Sequence, residues 1–107
     1  MSDILIVDDE KDIRELISEI LIDEGYSTRL ASNSEECLGQ VSEALPSLLI
    51  LDIWLKDSNM DGIDILKKVK IDFPHLPVVI ISGHGNIEIA VSAIKQGAYD
   101  FIEKPFN

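Results

Sequence analysis

Residues 4–7, 48–51 and 78–81 are apolar at every position. A strand with one face in water alternates apolar and polar residues. A run without alternation is covered on both faces, as central strands of a parallel sheet are. Two weaker runs, 26–31 and 99–102, mix in Ser27, Thr28, Arg29 and Asp100 and read as edge strands.

Helix-period segments separate the five runs. Ile13, Leu16, Ile17, Ile20 and Leu21 form one apolar stripe. Asn33 with Glu36 has the spacing of a capping box and opens a second helix, which Pro46 follows. Asp61-Gly62 leads into a third, with Ile65, Leu66, Val69 and Phe73 on its buried side. Asn86 is the expected cap of a fourth, whose stripe is Ile87, Ala90, Val91 and Ile94. Gly97 is its expected left-handed stop. The alternation βαβαβαβαβ implies a parallel α/β sheet with right-handed crossovers. Strong runs belong in the centre and mixed runs at the edges, which gives the strand order 2-1-3-4-5.

The chain of 107 residues suits one small domain. No apolar run approaches the roughly 20 residues of a membrane span, and a secretion signal is missing from the start. A cytoplasmic location without membrane contact is therefore expected. Cys37, the one cysteine, cannot form an internal disulfide. A net charge of −11 argues against direct contact with nucleic-acid phosphates. Solubility alone explains such a surplus, and so does a cluster of acids that holds a cation.

Polar residues end the central runs. The first is followed by Asp8 and Asp9, the third by Asp52, the fourth by Ser82, and Lys104 comes just after the fifth. Ligands of open parallel sheets bind beyond these carboxyl ends. Three carboxylates, a hydroxyl and an ammonium thus meet in one crevice. Carboxylates about 4 Å apart repel by roughly 4 kcal/mol per pair at an effective dielectric of about 20. One lysine leaves a surplus, which a hard divalent cation such as Mg²⁺ removes. Taken alone, Asp8 and Asp9 would only cap the first helix; Asp52 and Lys104 at matching ends favour a metal site.

At these residues the sequence resembles response-regulator receiver domains of bacterial two-component signalling. The stretches "ILIVDDE", "LLILDIWL", "DGIDILKKVK", "PVVIISGHG" and "AIKQGAYDFIEKPF" carry the resemblance across nearly the whole chain. "SGHGNIEIAVSAIKQGAYDFIEKPF" is similar to the nitrogen-regulation subgroup. The resemblance implies a flavodoxin-like receiver fold with helices on both faces, and this order is the one familiar for a receiver, so the two readings are not independent. It implies that Asp52 accepts a phosphoryl group from a phosphohistidine on a sensor histidine kinase. Asp9, Asp52 and the Trp54 backbone carbonyl would bind Mg²⁺, with Asp8 acting through a water. Lys104 would pair with the phosphoryl oxygens, and Ser82 would move to hydrogen-bond one of them. Phe101, three residues before Lys104, would be the switching aromatic, without the hydroxyl that many relatives have. The resemblance also implies a cis Lys104-Pro105 bond and a homodimer through the fourth helix and fifth strand. Transcription would be regulated through a downstream output domain absent from these residues.

The family's usual Pro-Gly turn after the phospho-acceptor is missing, and "LKDSNMDG" is about two residues longer than usual. A looser loop able to reach over the site is expected, with Lys56 and Asp57 near the phosphoryl group. The family's fifth helix is also missing, which would leave an apolar face for something else, such as a second copy, to cover.

Three other readings stand against this one. "DSNMDG" (Asp57, Asn59, Asp61, Gly62) matches the front of an EF-hand loop, but its twelfth position is Lys68. An Mg²⁺-dependent phosphatase with an aspartyl nucleophile needs an acid two residues after Asp52, where Trp54 stands. A receiver-shaped interaction module that never meets phosphate is the third. His84, near the crevice, reads as a proton donor or as a solvent-facing loop residue. The glycines of "SGHG" suit a phosphate cradle or a flexible turn equally. His75 and part of Trp54 are expected at the surface, Cys37 in the core, and Tyr99 in core or edge packing.

Overall fold

The computed structural model describes residues 3–55, 58–83 and 87–104. The elements run β1 (Asp3–Val7), α1 (Lys11–Asp23), β2 (Ser27–Ala31), α2 (Ser34–Glu43), β3 (Leu48–Asp52), α3 (Gly62–Asp72), β4 (Val78–Ser82), α4 (Ile87–Lys95) and β5 (Asp100–Glu103). All neighbouring strands pair in parallel, in the order β2-β1-β3-β4-β5. Both this order and the placement of the mixed runs at the edges are as the sequence predicts.

Side chains alternate between the two faces of each strand. Leu5, Val7, Leu49, Leu51, Val78 and Ile80 face α2, α3 and α4, where Cys37, Val41, Ile65, Leu66, Val69 and Ala93 close the larger core. Ile4, Ile6, Ile50 and Ile81 face the other way, with Ile17 and Leu21 of α1 against them. Each buried branched side chain contributes about 1.5–3 kcal/mol relative to exposure. The three continuous runs are continuous because both faces are covered.

Helix ends follow local chemistry. Asn33 Oδ1 accepts the Glu36 N–H at 2.9 Å, and Asp61 Oδ1 accepts the Asp64 N–H at 3.0 Å. Glu36 reaches back to the Ser32 N–H at 2.9 Å, one residue earlier than a reciprocal box requires. Gly97, at φ +110°, ends α4 in the left-handed region. Asn86 and the Lys104-Pro105 bond, together with Lys56, Asp57 and His84, involve residues outside those described.

Three expectations about packing need correction. In α1, Leu16 and Ile20 are exposed while Ser18 is buried. The helix is turned toward β2, where Ser18 Oγ and Thr28 Oγ1 hydrogen-bond at 2.7 Å. In α4 the buried residues are Ala90 and Ala93, whereas Ile87, Val91 and Ile94 are exposed. That helix is apolar round most of its circumference, so period alone does not choose the inward side; two alanines allow the closest approach to the sheet. Tyr99 is 77% exposed, because it precedes β5 and lies outside the sheet. Cys37 is buried and His75 exposed, both as expected.

Candidate functional site

Register brings the strand ends together. Val7 of β1 pairs with Leu51 of β3, so Asp8 and Asp52 leave the sheet side by side. Asp52 pairs with Ile81 on β4, and Ser82 with Glu103 on β5. Lys104 follows at once, its N–H donating to the Ser82 carbonyl at 2.8 Å. Strand order therefore puts the residues within reach without any contribution from a long loop.

Asp8, Asp9 and Asp52 each offer an oxygen, and these oxygens lie within 4.8 Å of one another. The Lys104 ammonium is 3.5 Å from Asp8, 3.7 Å from Asp52 and 3.8 Å from Glu10. Asp8 and Asp52 are buried, and Asp9 is half-buried. Asp52 Oδ1 accepts the Trp54 N–H at a long 3.4 Å, and Trp54 itself is exposed. Among the described residues two buried side-chain polar atoms, Asp8 Oδ2 and Ser82 Oγ, have no hydrogen-bond partner. For Asp8 Oδ2 the lysine lies at ion-pair distance but does not complete a hydrogen bond. Unsatisfied buried groups of this kind are rare and call for a reason.

The charges carry the same message. Burial, reinforced by the Asp8 carboxylate, pushes Asp52 up to about 7, against the pull of Lys104. Burial also raises Asp8, with the Glu10 N–H and Lys104 opposing it. Burial lowers the ammonium of Lys104, but Asp52, Asp8 and Glu10 outweigh it and the net direction is upward. One cation does not neutralise this cluster. A hard divalent ion fits the three clustered carboxylates.

Phe101 is half-buried at the edge of the larger core, on the strand that Lys104 follows. Three residues take part in the site in ways that the sequence does not assign to them. Glu10 sends its N–H to Asp8 Oδ1 at 2.9 Å and its carboxylate toward Lys104; the third acid of "DDE" was its only signal. Arg14 Nη1 donates to the Asp8 carbonyl at 2.7 Å, which nothing in the pattern announces. Gly62 is the third. A Cβ there would overlap the Asp52 carbonyl oxygen and lie 2.6 Å from Ile53 Cα, so α3 starts against the backbone of the central acid.

The EF-hand reading fails on engaged side chains. Asn59 Nδ2 donates to Glu35 at 2.6 Å, and Asp61 caps α3. Asp8, Asp9 and Asp52 form the metal-competent group among the described residues.

A doubly wound parallel sheet with an acidic cluster and a lysine at its carboxyl edge is the arrangement of the receiver class. The response regulator receiver domain family matches residues 4–107, and the chain belongs to it. It is 58% identical over 105 residues to the nitrogen assimilation regulatory protein NtrX of Azorhizobium caulinodans, covering 98% of this chain and 23% of that protein. The crystal structure of the receiver domain of NtrX from Brucella abortus superposes with a TM-score of 0.96 at 57% identity, covering 98% of this chain and 88% of that one. The beryllofluoride-activated NtrC4 receiver domain dimer, solved in solution, gives a TM-score of 0.90 at 39% identity, covering 100% of this chain and 87% of that one. The chain thus spans about a quarter of its curated NtrX relative, and its likeness to the nitrogen-regulation subgroup is as the sequence suggests. Among the described residues no helix is long and apolar enough to cross a membrane.

Proposed function

We propose that Asp52 is the phospho-acceptor of a signalling receiver and takes its phosphoryl group from a phosphohistidine of a sensor histidine kinase. One observation carries the reading: three carboxylates offer oxygens within 4.8 Å of one another, two of them at ion-pair distance from Lys104, and a buried oxygen of Asp8 and the buried Ser82 hydroxyl have no hydrogen-bond partner. Asp52 Oδ attacks phosphorus, the P–N bond breaks, and its electron pair stays on the imidazole. The product is an acyl phosphate.

Asp9, Asp52 and the Trp54 carbonyl are the groups that would hold Mg²⁺, with Asp8 acting through a water. Bound there, the ion offsets negative charge on the carboxylates and the transferring group. Lys104 supplies the remaining positive charge to the phosphoryl oxygens. The Ser82 hydroxyl gains the partner it lacks by turning to one of those oxygens. Space vacated by that turn lets Phe101 move further in, so burial alone separates its two positions.

Phosphorylation would then alter the outer surface of α4 and β5, where Ile87, Val91, Ile94 and Ile102 are exposed. A homodimer through this surface, or through the exposed Leu16 and Ile20 of α1, is the proposed consequence. The similar NtrC4 receiver is a dimer in its activated form. Transcriptional output belongs to a downstream domain of a longer regulator, and this domain contacts no nucleic acid itself. Turnover of a separate substrate is not part of the reading, since Trp54 stands where a phosphatase needs its second acid.

Acetyl phosphate with Mg²⁺ tests it. The mass of the chain is expected to rise by one phosphoryl group, and Asp52→Asn or a chelator to abolish the gain. Sustained hydrolysis of small phosphate esters would favour the phosphatase, and no gain in mass the interaction module. Sedimentation with and without beryllofluoride reads the dimer.

A further inference from the structure

α1 begins differently from α2 and α3. Asn33 caps α2 and Asp61 caps α3 through their side chains, but Glu10, the residue before α1, makes no side-chain cap. Its carboxylate lies toward Lys104, and its N–H donates to Asp8 Oδ1 at 2.9 Å. The carboxylate next to this helix is turned to the site, so the first turn is fastened by other means.

Arg14 supplies the fastening. Its main-chain N–H donates to the Glu10 carbonyl at 3.1 Å, and its Nη1 donates to the Asp8 carbonyl at 2.7 Å. The two bonds fall on either side of Asp9. The second is charge-assisted and grips the peptide group that joins Asp8 to Asp9, from which both carboxylates project. Asp8 is thereby fixed at its N–H, which donates to the Ala31 carbonyl at 3.2 Å, at its carbonyl and at Oδ1. Its Oδ2 accepts no hydrogen bond and lies 3.5 Å from Lys104.

We propose that Arg14 is a positioning residue for the cation: by holding the Asp8–Asp9 peptide from α1, it sets both carboxylates for a divalent ion shared with Asp52. This rests on Asp8, Asp9 and Asp52 being the metal-binding acids. Groups that orient metal ligands without touching the metal are typically worth about 10- to 100-fold in affinity. A grip on the main chain, one step removed from the ligand atoms, belongs at the lower end. A purely structural role for Arg14 would lower melting; positioning lowers the affinity of the folded protein for the ion.

The test uses this chain with Arg14→Ala, Arg14→Lys, which keeps a cationic donor, and Lys11→Ala. Lys11 controls for charge, since it forms an exposed pair with Glu15 at 3.9 Å. Mg²⁺ affinity is followed by fluorescence of Trp54, the one tryptophan of the chain, and stability by melting in chelator. In Arg14→Ala, Mg²⁺ affinity is expected to fall about 10-fold. Its phosphorylation by acetyl phosphate at saturating Mg²⁺ should stay close to that of the unmodified chain. Arg14→Lys should recover most of the affinity, and Lys11→Ala should leave it unchanged. Unchanged Mg²⁺ affinity in Arg14→Ala, whatever its melting temperature, overturns the proposal. An equal loss in Lys11→Ala overturns it in favour of charge alone. Should Arg14→Ala not fold, Arg14→Met, which keeps the stem without the donor, carries the same comparison. No Mg²⁺ response in the unmodified chain would overturn the metal reading itself. An ion bound without any phosphoryl transfer would instead overturn Asp52 as the acceptor, and the Arg14 comparison would still be decided by affinity.

Discussion

β1 carries a carboxylate at each end, and the two are treated in opposite ways. At its start, Asp3 Oδ2 receives Arg29 Nη2 at 2.7 Å and Nε at 2.9 Å. Arg29 spends its remaining donors on the Gln40 carbonyl at 3.0 Å and the Ala44 carbonyl at 2.8 Å, which fastens the last turn of α2. Acid and base match one to one. Past its other end, Asp8 is fully buried with an oxygen that accepts no hydrogen bond, and three nearby acids compete for Lys104, none closer than 3.5 Å. The first arrangement makes the fold more stable. The second holds a surplus of charge that the protein alone does not neutralise, which is what a site needs if a cation and a phosphoryl group are to be bound there.

The close approach behind Asp52 gives the largest expected effect. Gly62→Ala must push α3 off the backbone of residues 52 and 53, at a cost of about 3 kcal/mol or more. Gly39, where an added Cβ meets nothing within 4 Å, is the internal control and should tolerate alanine. Denaturant melts of the two variants decide it; equal midpoints would mean that α3 has freedom to retreat. Next comes the matched end. Arg29→Ala leaves Asp3 and the carbonyls of Gln40 and Ala44 without their donor and should cost about 2 kcal/mol by the same measurement. A loss within error would place this pair among the many ion pairs worth nothing.

Opposite signs at the two ends sharpen the contrast. Asp3→Asn should destabilise, whereas Asp52→Asn in metal-free buffer near pH 8 should stabilise by about 1–2 kcal/mol, because it removes a buried charge in surplus. Destabilisation by both substitutions would mean that Lys104 compensates its acids better than its distances suggest.

The matched end was hard to read in the sequence, and the mismatched end was legible. Asp8, Asp52 and Ser82 each follow an apolar run, so the period of the strands and their order were enough to bring them together. Arg29 lies in a mixed edge strand, where nothing marks it as the partner of a residue 26 positions away. Local patterns succeed where one element decides, as at Asn33 or Gly97. They fail where two elements share the decision. Leu16, Ile20 and Val91 have the right spacing for burial, yet how far each helix is rolled against the sheet is set by Ser18 meeting Thr28 and by the small Ala90 and Ala93. The loop after Asp52 is a third case: its extra length is visible in the sequence, but its attachment to α2 depends on the Ser58 hydroxyl meeting the Ser34 N–H at a helix end from another part of the chain.

The smallest effect is a slope. Asp52 and Asp8 are both held above 3.8 in the folded protein, Asp52 near 7. Between those values the folded state keeps protons that the unfolded state releases, so stability is highest on the acid side and falls as pH rises through 7. One extra bound proton corresponds to a slope of at most about 1.4 kcal/mol per pH unit, and coupling within the cluster makes the expected value smaller. Melting temperature in chelator should therefore decline from pH 5 to pH 8. Saturating Mg²⁺ should flatten the decline, because an ion that binds the ionised carboxylates favours the folded state most where protons are scarce. Asp52→Asn should flatten it without metal. A melting temperature that instead climbs with pH in chelator would show that the strand-end acids are neutralised within the fold, and the contrast between the two ends of β1 would disappear.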